Sequence, residues 1–201
     1  ALESLQEYSK LFYLDKKSGV EIAESQPHVT DAYGIPSAIG QGTHNYATVQ
    51  LVRYVNTIAS RGNVFQLSLV KGIADTNGNF VENNAVLENK VELPDSVWDT
   101  VSSGMVQFAQ NNSVLRVMEI SIAGKTGTAQ ESKSRPDHAL FVGYAPAETP
   151  EITIAVRIAN GYGSSNSTAV GKDIFNYYFG LENQEKIVTG EASQAFNTRT
   201  D

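Results

Sequence analysis

The chain has no cysteine among its 201 residues. That excludes disulfides, thiolate metal sites and a cysteine nucleophile, and it fits either side of a membrane. Histidine is almost as scarce. His28, His44 and His138 stand far apart without ligand spacing, so no metal site and no cofactor are expected. Basic residues are outnumbered, 15 Lys and Arg against 22 Asp and Glu, for a net charge of -7. A dedicated nucleic-acid binder presents a basic face, so nucleic acid is not an expected partner. No apolar run approaches the roughly 20 residues that cross a bilayer, and no signal-peptide pattern opens the chain. What is present is a 41% hydrophobic content, enough at this length for a core of single-domain size.

The most loaded stretch is Ala123-Gly124-Lys125-Thr126-Gly127-Thr128-Ala129-Gln130. It follows Val117-Met118-Glu119-Ile120-Ser121-Ile122, whose apolar and β-branched residues predict a strand running into it. Glycine weakens a strand interior, and one usual reason to keep it there is the close approach of a ligand or another backbone. Lys125 adds positive charge, and Thr126 and Thr128 add hydroxyls that donate or accept. The set suits a carboxylate-bearing, peptide-like ligand laid along a strand edge; the plain alternative is an edge strand with surface lysine and threonines. A phosphate-binding loop fits poorly. It would need a glycine where Glu119 stands, and a helix where the polar run Gln130 to Pro136 follows.

The remaining chain predicts alternating helices and strands. Leu2, Leu5, Tyr8 and Phe12 share one helical face, and Gly19 to Ile22 reads as a short extended piece. Pro27 and Pro36 argue against helix at either site. Gly40-Gln41-Gly42 reads as a tight turn. A helix starts at Thr48, with Leu51, Tyr54, Val55, Ile58 and Ala59 on its stripe, and stops at Arg61-Gly62. Val64 to Ile73 predicts a strand, and Asp75-Thr76-Asn77-Gly78 turns it into Phe80-Val81, a hairpin expected to pack. Pro94-Asp95 opens a helix with Asp95 as N-cap and Val97, Val101, Met105 and Phe108 as its buried stripe, Trp98 beside it. Residues 139–144 and 151–159 predict an antiparallel pair, being joined too tightly for a parallel crossover. Gly161 to Ser165 reads as a flexible loop. A last helix from about Thr168 is expected to turn Val170, Ile174, Tyr177 and Tyr178 to the sheet and to end at Gly180. The fold class is α+β, an antiparallel sheet flanked by helices, with residues 1–182 as one domain and 183–201 as a polar tail expected to be mobile.

Lys125-Thr126-Gly127 is also one of the motifs of penicillin-binding proteins and class A β-lactamases, beside Ser-x-x-Lys and Ser-x-Asn type motifs. Together with Asp137 to Pro146, Ile152 to Val156, and upstream Pro36 to Gly42 followed by Ala47 to Leu51, it resembles the last part of a class B penicillin-binding protein transpeptidase domain. The likeness is to the penicillin-binding protein 2 type of Gram-positive, clostridial bacteria and covers nearly the whole chain. It implies a partial β-lactamase-like fold and D,D-transpeptidation of peptidoglycan stem peptides through an acyl-serine, with β-lactams as ligands. It implies that Lys125 sets the positive potential, that the Thr126 and Thr128 hydroxyls bind a terminal carboxylate, that Gly127 admits the substrate backbone, and that the Thr128 N–H is half of an oxyanion hole.

The match departs from the family's order. Ser68-Leu69-Val70-Lys71 and Ser164-Ser165-Asn166 fit the other two motifs by letters but stand in the wrong places, and both read as coincidences. The nucleophile and the Ser-x-Asn motif are therefore expected upstream of this chain, leaving it inactive alone. Its partners would be the upstream part of the same protein, stem peptides, β-lactams and cell-wall synthesis proteins, at the extracytoplasmic face of the plasma membrane. A non-catalytic wall-peptide-binding or scaffolding module, or a β-lactam sensor or β-lactamase relative, are the alternatives.

Overall fold

Hydrophobic periodicity changes along the chain from helical to alternating and back, and a computed structural model shows how these stretches associate. It describes residues 2–182 and Ile187; the remainder of the tail 183–201 lies outside the described residues. The chain divides into two compact units, Ala1–Leu93 and Pro94–Asp201.

In the first unit, α1 spans Leu2–Leu11, α2 Gly34–Ala38 and α3 Thr48–Ala59. The short strands are β1 Asn63–Phe65, β2 Gly72–Ala74, β3 Phe80–Glu82 and β4 Leu87–Lys90. β1 pairs antiparallel with β4, and β2 with β3. α3 buries Val55 and Ile58 together with polar Gln50, Arg53 and Thr57. Arg53, 1% exposed, donates to the carbonyls of Tyr13, Lys16 and Lys17, and so ties the turns after α1 to the middle of α3. The Gln50 amide returns to the Ala47 N–H at the start of α3, satisfying one of the donors a helix start leaves open.

Four expectations fail in this unit. Gly19 to Ile22 joins no sheet. Pro36 lies inside α2: it is the third residue, where the missing N–H has no intrahelical partner to lose. The strand expected over 64–73 is broken between β1 and β2 at the irregular segment around Ser68. The hairpin does form about Asp75, whose carboxylate accepts the Asn77 and Asn79 N–H groups. It does not pack, for Ile73, Phe80 and Val81 are all exposed.

In the second unit, α4 spans Asp95–Asn111, β5 Ala123–Ala129, β6 His138–Ala145, β7 Ile152–Ile158 and α5 Ser164–Phe179. The strands form one antiparallel sheet in the order β5-β6-β7. The core comprises Ala109, Leu115, Ile122, Phe141, Ala145, Ile154 and Phe175. Phe141 and Phe175 are fully buried, each worth about 1.5–3 kcal/mol over exposure. Gly180 closes α5 with φ 64°, the left-handed cap that glycine adopts without penalty.

The helix faces differ from expectation. On α4, Trp98, Met105 and Ala109 are buried while Val97 and Val101 are exposed, and Pro94 rather than Asp95 occupies the N-cap. On α5 the buried residues are Ser167, Thr168, Gly171, Phe175 and Asn176, whereas Val170, Ile174, Tyr177 and Tyr178 face outward. Close approach is the reason. A Cβ on Gly171 would lie 2.5 Å from Phe141 Cδ1, so only a small-residue face lets α5 come down onto the sheet.

Candidate functional site

β5 is an end strand of its sheet, with β6 its neighbour on one side. Its register against β6 runs without a bulge from Ala123↔Tyr144 to Ala129↔His138. A Cβ on Gly124 would lie 3.2 Å from the Val142 carbonyl oxygen, and one on Gly143 2.8 Å from that of Ala123. This reciprocal approach makes Gly124↔Gly143 a narrow, non-hydrogen-bonded rung, and rungs alternate along an antiparallel pair. Thr126↔Phe141 and Thr128↔Ala139 are therefore narrow too, and Thr126 and Thr128 direct their N–H and C=O groups to the open edge.

Alternation also separates the side chains by face. Lys125 and Gly127 fall on the α4 side, where Lys125 Nζ lies 5.5 Å from the Phe108 ring centroid. Thr126 and Thr128 share the opposite face, their Cα atoms about 6.6 Å apart at the usual strand rise. Lys125 is exposed, and its ammonium donates to the Thr126 carbonyl at 2.8 Å. One strand edge thus carries outward backbone groups, with the cation on the α4 side and the two hydroxyls on the opposite face.

The two glycines of the motif serve different ends. A Cβ at Gly124 would lie 2.8 Å from Phe141 Cε2, so packing alone requires glycine there. At Gly127 the first contact would be Leu140 Cβ at 3.6 Å, an ordinary separation. Nothing in the described fold demands glycine at 127.

The two letter matches to the family's other motifs each have a local setting of their own. Ser68 sits in irregular chain, donates its hydroxyl to the Glu21 carboxylate, and accepts from the Val70 N–H and the Asn83 amide. The segment is not helical, so it does not set Lys71 one turn from Ser68. The Glu21 carboxyl is held below the usual carboxylate range, first by the Ser68 hydroxyl and then by the Leu69 N–H. Ser164 is the first residue of α5, and its carbonyl accepts from the Ser167 and Thr168 hydroxyls. The loop around it is not the flexible one expected. Gly161 and Gly163 are buried, and the Asn166 amide donates to the Gly161 carbonyl.

A group that sequence reasoning passed over lies at the far end of β5. His138, 8% exposed, hydrogen-bonds Glu131 Oε2 through Nε2 at 2.9 Å and accepts the Asn160 N–H at Nδ1 at 3.0 Å. The Glu131 carboxyl is held below its ordinary value, chiefly by this histidine and next by Arg135. The available signal was a lone histidine opening a strongly apolar strand. Among the described residues no cluster of His, Asp and Glu is placed to hold a metal ion.

Comparison with known proteins assigns the family. The chain matches the penicillin binding protein transpeptidase domain over residues 1–176. It is 31% identical over 205 aligned positions to penicillin-binding protein 2B of Streptococcus pneumoniae, covering 89% of this chain and 29% of that protein. It is 29% identical over 160 positions to the peptidoglycan D,D-transpeptidase MrdA of Acinetobacter baumannii, covering 72% of this chain and 24% of that protein. The crystallised penicillin-binding protein 2B of S. pneumoniae strain R6 superposes with a TM-score of 0.72 at 28% identity, covering 90% of this chain and 33% of that one. The chain thus spans less than a third of the length of these relatives. With a family match over most of its length and an α+β fold to go with it, the chain belongs to the transpeptidase domain family of class B penicillin-binding proteins.

Proposed function

We propose that this chain is the Lys-Thr-Gly-bearing part of a peptidoglycan D,D-transpeptidase that also binds β-lactams. The observation that carries the reading is the open edge of β5, where Thr126 and Thr128 turn their backbone groups outward beside the Lys125 ammonium. A stem peptide ending in D-Ala-D-Ala lies along that edge as an added strand. Its terminal carboxylate is met by the Thr126 and Thr128 hydroxyls and by the field of Lys125. Gly127 leaves room for its backbone.

A serine outside this chain attacks the penultimate D-alanine carbonyl. The oxygen that becomes negative accepts the Thr128 N–H, a fixed donor aimed at charge that develops only in the transition state. The peptide C–N bond then breaks, the terminal D-alanine leaves with a proton on its nitrogen, and an acyl-serine remains. An amine of a second stem attacks that ester, forms the cross-link and returns the serine hydroxyl. A β-lactam enters as a mimic of D-Ala-D-Ala, and its ring amide acylates the same serine.

We take residues 1–182 to act as one part of the domain and the site of action to be the extracytoplasmic face of the plasma membrane. Anchoring would be supplied outside this chain. Among the described residues no helix is long and apolar enough to cross a membrane.

Labelling with a fluorescent penicillin tests the reading. The full-length protein should form a stable adduct, and the 201-residue chain alone should not, because acyl transfer needs an activated nucleophile beside its base. An adduct on the isolated chain, mapped by mass spectrometry to Ser68 or Ser164, would overturn the assignment.

A further inference from the structure

Two connections, β5–β6 and β7–α5, meet where β5 ends. Asn160 and Tyr162, between β7 and α5, both have positive φ, 52° and 64°, which side-chain-bearing residues hold only under local constraint. That constraint is visible. The Tyr162 N–H donates to the Asp137 carbonyl, the Asn166 amide holds the Gly161 carbonyl, and the Asn160 N–H donates to His138 Nδ1. A Cβ on Gly161 would lie 2.9 Å from the Cβ of Ala139, so this connection is seated hard against the start of β6. On the other side, His138 pairs with Ala129 in the ladder, one rung beyond Thr128↔Ala139, and reaches Glu131.

A backbone N–H can only donate, so Nδ1 carries a lone pair. Nε2 then carries the proton and donates it to the Glu131 carboxylate. Both ring nitrogens are occupied in one tautomer, each by a segment leaving a different strand. Arg135 adds a cation to the same carboxylate at 3.6 Å. The ring thus adds a side-chain tie at the end of a strand whose ladder neighbour is β6.

We propose that His138 is a positioning residue of the transpeptidase site: fixed as the neutral Nε2–H imidazole, it clamps the end of β5 to the β7–α5 connection and keeps the Thr128 N–H in place at the open edge. This rests on the functional reading above. His138 touches no substrate; it acts through Glu131 and the Ala129 rung on a donor three residues upstream of Glu131.

The test uses the intact protein, with penicillin acylation resolved into the Kd of the reversible complex and the rate constant of the covalent step. His138→Ala should lower that rate constant at least about tenfold with Kd changed less than about threefold, within the roughly 10²-fold that a 1 Å misplacement costs. His138→Gln, whose amide can still donate to Glu131, should recover most of the rate. His138→Asn, which keeps only an acceptor for the Asn160 N–H, should not. Wild-type rates in His138→Ala, or equal losses in the Gln and Asn variants, would overturn the proposal. Should the variants fail to fold, 15N-histidine NMR of the wild type decides: a neutral ring protonated at Nε2 supports it, and an Nδ1–H ring or an imidazolium overturns it. A wild type that penicillin does not acylate would count against the functional reading instead, while the tautomer and the hydrogen-exchange protection of the Thr128 amide would still judge His138.

Discussion

Lys125 contributes little to packing, since its side chain is exposed and its ammonium bonds the carbonyl of the next residue. Under the proposed function its value is charge placed where a carboxylate would lie. Lys125→Ala in the intact protein should therefore slow penicillin acylation by about 10²–10³-fold, the range lost with one preorganised electrostatic donor, and leave the thermal midpoint nearly unchanged. Equal acylation rates in mutant and wild type would reduce the strand to structure. The two motif glycines supply a paired control. Gly124→Ala forces a methyl to within 2.8 Å of Phe141 Cε2, and overpacking of that kind costs about 1–3 kcal/mol. Gly127→Ala meets Leu140 Cβ at 3.6 Å and should keep its stability, yet slow acylation by crowding the edge. Thermal scans beside labelling rates should separate the pair; a Gly127→Ala variant that is as destabilised as Gly124→Ala would mean that packing fixes both glycines. The sequence marked Lys125, Thr126 and Thr128 because their letters are unusual in a strand, and the structure sets them on an end strand. The sequence did not separate the glycines, because their neighbours come from β6.

At the scale of elements, the three strands of the second unit's sheet were legible, whereas the helix faces and the strands expected over 64–73 and 117–122 were not. The run Ile152 to Ile158 alternates by chemistry alone, and β7 follows it, with β5 and β6 in the expected order. A helix stripe depends on what it meets. α5 turns its serine, threonine and glycine face inward because Gly171 rests on Phe141, and no periodicity within α5 contains that fact. α3 makes the same point with a charge. Arg53 looks like a surface residue in the sequence, yet it is buried and supplies the donors for three carbonyls in the turns after α1. Arg53→Met fills the space but removes every donor. The Lys16 carbonyl keeps the Gln50 amide and the Tyr13 carbonyl keeps the Lys16 N–H, so the loss should be about 1–3 kcal/mol, that of a single partly buried acceptor set. Peptide-resolved hydrogen exchange should show residues 13–17 losing protection first. Arg53→Lys should rescue poorly, because an ammonium lacks the planar fork that reaches several carbonyls at once. Full protection of residues 13–17 in Arg53→Met would show that other contacts hold this segment.

For the molecule as a whole, the apolar content that promised a core is only partly spent on one. The outward side of α5 carries Val170, Ile174, Tyr177 and Tyr178, 36–51% exposed, at the spacing of a single helical stripe. Separately, the first unit exposes Ile73, Phe80 and Val81 on a two-stranded hairpin. A hairpin of that size is marginal in water without a covered face, and contiguous apolar surface on a soluble chain favours association. The isolated 201-residue chain should consequently self-associate, its sedimentation-average mass rising with concentration. Adding charge to the stripe, as in Ile174→Lys with Tyr178→Lys, should lower that mass at fixed concentration. The thermal midpoint should hold, since the buried side of α5 is carried by Ser167, Thr168, Gly171 and Phe175. If the double variant instead unfolds, the stripe is packed rather than exposed and the orientation of α5 is wrong. If the wild-type chain stays monomeric at high concentration, the exposed stripe is too small to drive association, and the apolar surface of α5 needs another explanation.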